Sequence, residues 1–419
     1  MYSACVASNP NRPFLSAFGD PGNPPLYFIL LRLWFIVFGW SGESGRMLSV
    51  VLGTASLLSF YVLAKHFAGA KAALLAAFLM AANTRLIDQS QQTRGYILQV
   101  LLVPIVMYRF SLFLENQKPA NLILYILSAA LLVNTHYYGV LFALAVFCFF
   151  VYSEVSRKCF TWKRTAPFLL GNAVIALSLL PFFLLTALRE ALLNGGFNTW
   201  IPKPGLAWKA ALPLFAILFA LYVSAGKTWL KTKMPDPRFR LLDFAVFTAA
   251  VVFILALAIS LFRPVFVMRY FPLLIPLAYA AGAALLGSLP RADSRTGKAL
   301  YLAGVYAALL LGMETRPGGT GGRWDVFHEA QAYVSIDSDS HPEYKSAEMS
   351  PLWDPKLYGL TALPPFAPGG HYGAVYFNPV HEHVSDDDRY FLMVKAGIDP
   401  GKILRIRINE KRSVFKAYL

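Results

Sequence analysis

From about residue 46 to residue 313 the sequence repeats one pattern, in which stretches nearly free of charge alternate with short polar connections. The stretches run to roughly 15–22 residues, and a helix needs about 20 apolar residues to cross the hydrocarbon of a bilayer. In hydrocarbon every backbone N–H and C=O must find its partner internally, which leaves helices or a closed barrel. The period-2 alternation of a membrane barrel is absent, so the blocks are expected to be helices. Ten spans follow, at approximately 46–66, 70–84, 95–113, 120–135, 138–155, 166–188, 207–225, 241–262, 270–289 and 298–313. The second is short enough to be tilted or partly interfacial. A chain of 419 residues with 57% hydrophobic and 15% charged residues does not fit soluble packing.

The formal charge of +15 could suggest a nucleic-acid partner, but its distribution argues against one. Residues 1–313 hold 26 Lys and Arg against 9 acids, whereas residues 314–419 hold 12 against 14. The excess belongs to the membrane part, where loop cations set orientation. They gather in alternate connections: Lys65 to Lys71, Arg109 to Lys118, Arg157 to Arg164, Lys227 to Arg240, and Arg291 to Lys298. These five are assigned to the cytoplasm. Outside lie Asn83 to Arg94, His136 to Tyr138, Arg189 to Leu206, Arg263 to Arg269, and everything after Glu314. Both termini then fall outside, although residues 1–25 hold no apolar signal segment. A natural relative is therefore expected to carry one more N-terminal span, unless a helix has been miscounted.

Residues 26–40 are apolar but include Arg32, Trp34 and Trp40, which suits an interfacial helix at least as well as a span. After Met313 a Gly-rich stretch marks a boundary. Beyond it, residues 323–335 and 386–397 read as helices, 371–379 and 402–418 as strands, the last long enough to form a hairpin turning near Asn409 and Glu410. The expected fold is an α-helical polytopic membrane protein with a small C-terminal α/β soluble domain. Its parts are an outer-face loop and interfacial helix at 1–45, a multi-span domain at 46–313, and a small extracytoplasmic domain at 314–419.

Polar residues that lipid would reject are the informative ones, since a charge at mid-bilayer costs roughly 2.5–3.5 kcal/mol or more. Asp20, Asn23, Asp88, Gln89, Gln91, Gln92, Arg94, His136, Tyr137, Arg263, Arg269 and Tyr270 all fall at outer ends of spans, which makes one outward-facing cavity possible. Pro24 and Pro25 pre-set a helix entry. They could also hold Asp20 in a rigid turn at the membrane surface, where a carboxylate accepts a proton or holds a cation. Arg94 stands before a helix N-terminus, and a guanidinium there suits phosphate oxygens; an interfacial Arg reaching water or headgroups is the plainer reading. His136 could simply be a turn residue, and Tyr137 a belt anchor. Cys5, Cys148 and Cys159 match no metal or redox spacing, and Cys148 reads as a packing residue. His381-Glu382-His383 with the following Asp386 to Asp388 is read as a solvated charge run, so no metal site is assigned.

In order along the chain these segments resemble the polytopic GT-C glycosyltransferases, specifically the family 39 branch that includes protein O-mannosyltransferases, with the bacterial lipopolysaccharide galacturonosyltransferase-like domain as its nearest pattern. That pattern has an acid followed by His-Pro-Pro-Leu-Tyr. Here it reads Asp20, then Asn23, Pro24, Pro25, Leu26 and Tyr27, with Asn in place of His. The Ser-Gln-Glu-Ala-Arg-x-Tyr stretch matches Ser90, Gln91, Gln92, Thr93, Arg94 and Tyr96, with Gln92 replacing the acid. The Thr-His-Tyr-Tyr-Gly turn is Thr135 to Gly139, and the late Arg-Tyr pair is Arg269 and Tyr270. The resemblance implies transfer of a sugar from a polyprenyl-phosphate donor to a lipid, glycan or protein acceptor at the outer face of the cytoplasmic membrane, by inverting displacement. It implies donor-phosphate binding by Arg94 and Arg269 and acceptor activation by Asp20. Asn23, Tyr27, Gln91, Tyr96, His136, Tyr137 and Tyr270 would contact substrate. No organic cofactor is implied, and a divalent metal is left undecided. An Asp-Glu type motif after the family's first span has no counterpart here, which leaves a truncated, inactive homologue as one alternative. A transporter or lipid flippase is the other.

In a chain freed of its own cysteines, Gln91→Cys and Arg269→Cys should both react with a membrane-impermeant thiol reagent added from outside the cell. Labelling of the two from opposite sides would rule out a shared pocket.

Overall fold

The computed structural model describes residues 23–39, 41–157, 160–184, 212–213, 215–222, 237–262, 265–266 and 268–288, together with four strands between 346 and 418. The helices are α1 (Leu26–Phe38), α2 (Gly42–Ala68), α3 (Ala70–Ala81), α4 (Thr84–Ser90), α5 (Tyr96–Asn116), α6 (Pro119–Val133), α7 (Tyr137–Arg157), α8 (Trp162–Phe182), α9 (Pro237–Phe262) and α10 (Leu274–Ser288). Among the described residues five helices are long and apolar enough to cross a bilayer: α2, α5, α7, α8 and α9. α3 and α4 pass that test together but meet at 66°, and α1, α6 and α10 are shorter apolar helices. The chain is a multi-pass helical membrane protein. Of the ten expected spans, 298–313 lies outside the described residues, and within 207–225 only 212–213 and 215–222 are described.

The bend between α3 and α4 has a local cause. Asn83 interrupts the helix in extended backbone, and its side chain accepts from the Leu86 N–H at 2.9 Å, capping a new helix in a new direction. The Asn83 amide also donates to the Tyr279 hydroxyl of α10 at 3.2 Å. What looks in sequence like one short span is thus a helix pair with a capped break.

α5 is the axis of the bundle. At 21 residues it is about 30 Å long, enough for the hydrocarbon, and residues on every face of it are buried, from Tyr96 to Phe113. Lipid supplies no hydrophobic drive between helices, so tight packing must hold them. Phe110 of α5 provides it: its ring lies 5.6 Å from Tyr125 of α6, 6.3 Å from Phe149 of α7, 5.8 Å from Phe168 of α8 and 5.2 Å from Phe244 of α9. Tyr125 keeps its polar tip satisfied by donating to Asn172 at 3.2 Å.

Contacts sort the connections to two ends. At one end Glu115, in the last turn of α5, pairs with His66 of α2 at 3.1 Å and with Arg240 of α9 at 3.2 Å, while Arg238 donates to the Gly287 carbonyl at the end of α10. At the other end the α1 entry bonds the turn after α6, and the turn's Tyr138 bonds the loop after α9. The basic connections at Lys65, Arg109 and Arg240 therefore share one end, opposite the polar residues of the expected cavity.

A second unit includes Thr315–Leu419. Its strands β1 (Ser346–Glu348), β2 (Ala374–Phe377), β3 (Ile403–Asn409) and β4 (Arg412–Tyr418) form one sheet in the order β1-β2-β4-β3. β1 and β2 run parallel, and β3 and β4 form the expected hairpin, with a register shift between Arg407 and Asn409. The helices expected at 323–335 and 386–397 lie outside the described residues.

Gly139 permits the tight turn from α6 into α7, because a Cβ there would stand 2.8 Å from the Leu132 carbonyl carbon, which is backbone and cannot yield. Gly139→Ala should lower stability by about 1–3 kcal/mol, read as a lower thermal midpoint of the purified protein in detergent.

Candidate functional site

The site starts at the entry to α1. Pro24 and Pro25 open the helix, and the Ile29 N–H already bonds the Pro25 carbonyl at 3.0 Å. One residue on, the Leu26 N–H donates to the Asn134 carbonyl at 3.0 Å, which fixes α1 against the turn between α6 and α7. Tyr27 is buried, with its hydroxyl 3.2 Å from Ser49 Oγ of α2. Ser49 spends its single proton on the Gln92 carbonyl at 2.7 Å, so Tyr27 is the donor in the first of these bonds.

This relay leads directly to Arg94. The loop between α4 and α5 is held at Gln92 by Ser49, and the Arg94 N–H donates back to the Gln92 carbonyl at 2.8 Å. Gly95 then allows α1 and α5 to approach, since a Cβ there would lie 3.2 Å from Tyr27 Cβ. The half-buried Arg94 guanidinium reaches the Tyr96 hydroxyl and acts electrostatically on Tyr27 as well.

Four rings from three separate segments meet beyond it. The Tyr96 ring is 5.4 Å from His136 and 6.0 Å from Tyr270; Tyr270 is 5.0 Å from His136 and 5.6 Å from Tyr138. Arg269 is exposed, stands 5.3 Å from the Tyr270 ring centre, and directs Nη2 to the Tyr270 hydroxyl at 3.4 Å. Its charge also acts on Tyr96 and His136. The loop that carries it is anchored by Tyr138, whose hydroxyl donates to the Val265 carbonyl at 2.8 Å, and by the Val265 N–H, which donates to Ser260 Oγ at 3.1 Å.

Of the residues expected from sequence, Tyr27, Arg94, Tyr96, His136, Arg269 and Tyr270 come together. Tyr137 flanks them, 6.5 Å from His136 and 6.3 Å from Phe182. Asn23 is half-buried just before the helix entry, and Gln91 is exposed where α4 ends. Asp20 lies outside the described residues. Ser49 and Tyr138 were missed. Ser49 carries no sequence signal, being one serine in a long apolar helix; Tyr138 lies in the aromatic turn directly after His136 and Tyr137, which is the signal that could have found it.

His136 is both a turn residue and a wall of the site. Its Nδ1 accepts the Tyr138 N–H at 3.2 Å, which leaves Nε2 as the protonated nitrogen of a neutral ring. Burial, and then the Arg269 charge, push its pKa down to about 3. Among the described residues no three His, Cys, Asp or Glu side chains converge as metal ligands. The groups on offer there are guanidinium, phenol and neutral imidazole, a set that favours an anion with a planar or hydroxylated neighbour.

Residues 22–184 match the family model of the dolichyl-phosphate-mannose-protein mannosyltransferases. The structure is similar to that of ArnT from Cupriavidus metallidurans in the apo state, with TM-score 0.52 and 14% identity over 99% of this chain and 91% of that one. It is equally similar, at TM-score 0.52 and 14% identity over 94% and 88%, to ArnT from the same organism bound to undecaprenyl phosphate. The chain shares the fold of these ArnT structures. No curated protein matches its sequence significantly. The stretch that the family model matches runs from the α1 entry to the end of α8, so it holds Tyr27, Arg94, Tyr96 and His136 but not Arg269 and Tyr270.

Because the folded pKa of His136 lies below the ordinary value of about 6.5, the unfolded chain binds this proton first as pH falls. Stability from this residue is intact above pH ~6.5 and declines towards the folded pKa, by up to about 1.4 kcal/mol per pH unit. His136→Gln should flatten the fall in thermal midpoint between pH 7 and pH 4. An unchanged slope would mean that His136 titrates normally in the folded protein.

Proposed function

We propose that this chain is a glycosyltransferase that moves a sugar from a polyprenyl-phosphate donor to an acceptor at the outer face of the cytoplasmic membrane. The observation that carries the reading is the convergence of Arg94 and Arg269, from opposite parts of the chain, on the Tyr96 and Tyr270 hydroxyls at one end of the bundle. Two guanidinium groups beside phenol donors at a membrane end suit a phosphate whose lipid tail remains in the bilayer. The GT-C fold supports it, and so does the undecaprenyl phosphate held by the similar ArnT.

The chemistry follows from that placement. An acceptor hydroxyl attacks the anomeric carbon from the face opposite the phosphate, and the bond from that carbon to the phosphate oxygen breaks. The electron pair leaves with the phosphate, whose added charge Arg94 and Arg269 stabilise. The acceptor's proton needs a base, and Asp20, three residues before Asn23, is the group proposed for it. Asn23, Gln91 and Tyr137 would line the acceptor side, with Tyr27 and His136 behind the donor. A sheet-containing unit after Glu314 would then stand on the extracytoplasmic side. The sugar in this reading is a hexose or a pentose, and the acceptor a lipid, a polysaccharide or a protein.

Arg94→Ala should weaken binding of undecaprenyl phosphate to the full chain in detergent by about 10- to 100-fold and abolish sugar transfer, while Arg94→Lys retains part of the binding. Unchanged affinity in Arg94→Ala, with the protein folded, would remove Arg94 from the donor site and the main support for the reading.

A further inference from the structure

Gln99 lies in the first turns of α5 and is fully buried. Neither its Oε1 nor its Nε2 meets a hydrogen-bonding partner among the described residues. A dry amide in that state costs free energy that leucine at the same position would not, so packing gives no reason for glutamine there.

Helix geometry says where the amide is aimed. Long side chains on a helix lean back towards its N-terminus, over the residues three and four positions earlier. For Gln99 these are Tyr96 and Gly95, and the Gln99 N–H indeed bonds the Gly95 carbonyl at 3.4 Å. The space above Gly95 is bounded by Tyr27, 3.2 Å from a Cβ placed there, and by the Thr135 carbonyl at 3.6 Å. The space beside Tyr96 is bounded by His136, 5.4 Å away. Gln99 falls angularly between Gly95 and Tyr96. Its amide is directed into the gap between Tyr27, the Thr135–His136 turn and Tyr96, about 4.5 Å deeper than Tyr96 along the helix axis. Arg94 is half-buried and Arg269 exposed, and both act on Tyr96, the residue one helical turn before Gln99.

We infer that Gln99 is a specificity-determining residue whose amide holds a hydroxyl of the glycosyl group on the donor, beneath the point where Arg94 meets the phosphate. The inference rests on the donor reading above. A primary amide offers one acceptor and a donor pair side by side, which complements a sugar hydroxyl that gives one hydrogen and accepts another. A phosphate could use only Nε2, and a polyprenyl tail neither atom. The amide is fully buried, so the hydroxyl enters as the side chains around it part.

The test uses the full chain in detergent with three probes: undecaprenyl phosphate, and the same lipid carrying mannose or arabinose. Wild type should bind at least one glycosylated lipid more tightly than the bare one. Gln99→Met, which keeps length without polarity, should lose on the order of tenfold or more of that affinity and leave bare-lipid binding unchanged. Gln99→Asn, which keeps the amide but withdraws it, should show the same selective loss and guards against misfolding of the first variant. Equal loss for bare and glycosylated lipid would mean a packing role and overturn the inference. So would unchanged affinities with a raised thermal midpoint in Gln99→Met, the signature of an amide that holds only water. If wild type binds the bare lipid and gains nothing from either sugar, the Gln99 inference fails while the donor reading stands. If it does not bind the bare lipid, the donor reading fails and takes the inference with it.

Discussion

The hydroxyl relay from Tyr27 through Ser49 to the Gln92 carbonyl is the interaction on which the rest of the site depends. It joins α1, α2 and the loop before α5 through two buried hydroxyls, Tyr27 and Ser49, for which an unmade hydrogen bond would be costly. Every partner has one role: Tyr27 donates, Ser49 passes the bond on, and a backbone carbonyl that no helix would satisfy accepts it. Arg94 is placed as a consequence, two residues beyond that carbonyl, on a backbone that Gly95 lets come close to Tyr27. Without the relay the loop would carry a cation with no fixed direction.

The bundle distributes its polar chemistry by end. The end with Glu115, His66 and Arg240 is tied by the Arg240–Glu115 ion pair and the His66–Glu115 hydrogen bond, both partly exposed, which helps align three helices but contributes little net stability. The opposite end is tied by hydrogen bonds to backbone carbonyls and by ring contacts, and there two cations act on one phenol, that of Tyr96. Between them, Phe110 gathers rings from four helices and keeps the ends apart. A neutral, buried His136 belongs to this arrangement, since burial would strip a charged imidazole of water and Arg269 would repel it.

Much of this was legible in the sequence. The apolar blocks marked the helices, because hydrocarbon permits no other ordinary backbone, and alternate basic loops marked the two ends. Pro24-Pro25, Arg94, the His136 turn and Arg269-Tyr270 could be picked out as polar or rigid groups where lipid would reject them. The break at Asn83 was not legible as such, because a capped bend and a short tilted span present the same composition. Ser49 and Gln99 escaped for a related reason. A single polar residue in an apolar helix reads as tolerated until its surroundings are known.

The sequence by itself determined that this chain crosses a membrane as helices, which residues sit at helix ends, and which end carries the positive loops. These follow from short-range rules of solvation, helix length and charge. Only the tertiary structure decided that Tyr96, His136, Tyr138 and Tyr270 form one cluster, that Arg94 and Arg269 act on the same phenol, and that Gln99 is dry and unpartnered. Those facts depend on the rotation and neighbours of each helix, and rotation is fixed by side-chain packing between segments far apart in the chain rather than by the pattern within any one of them.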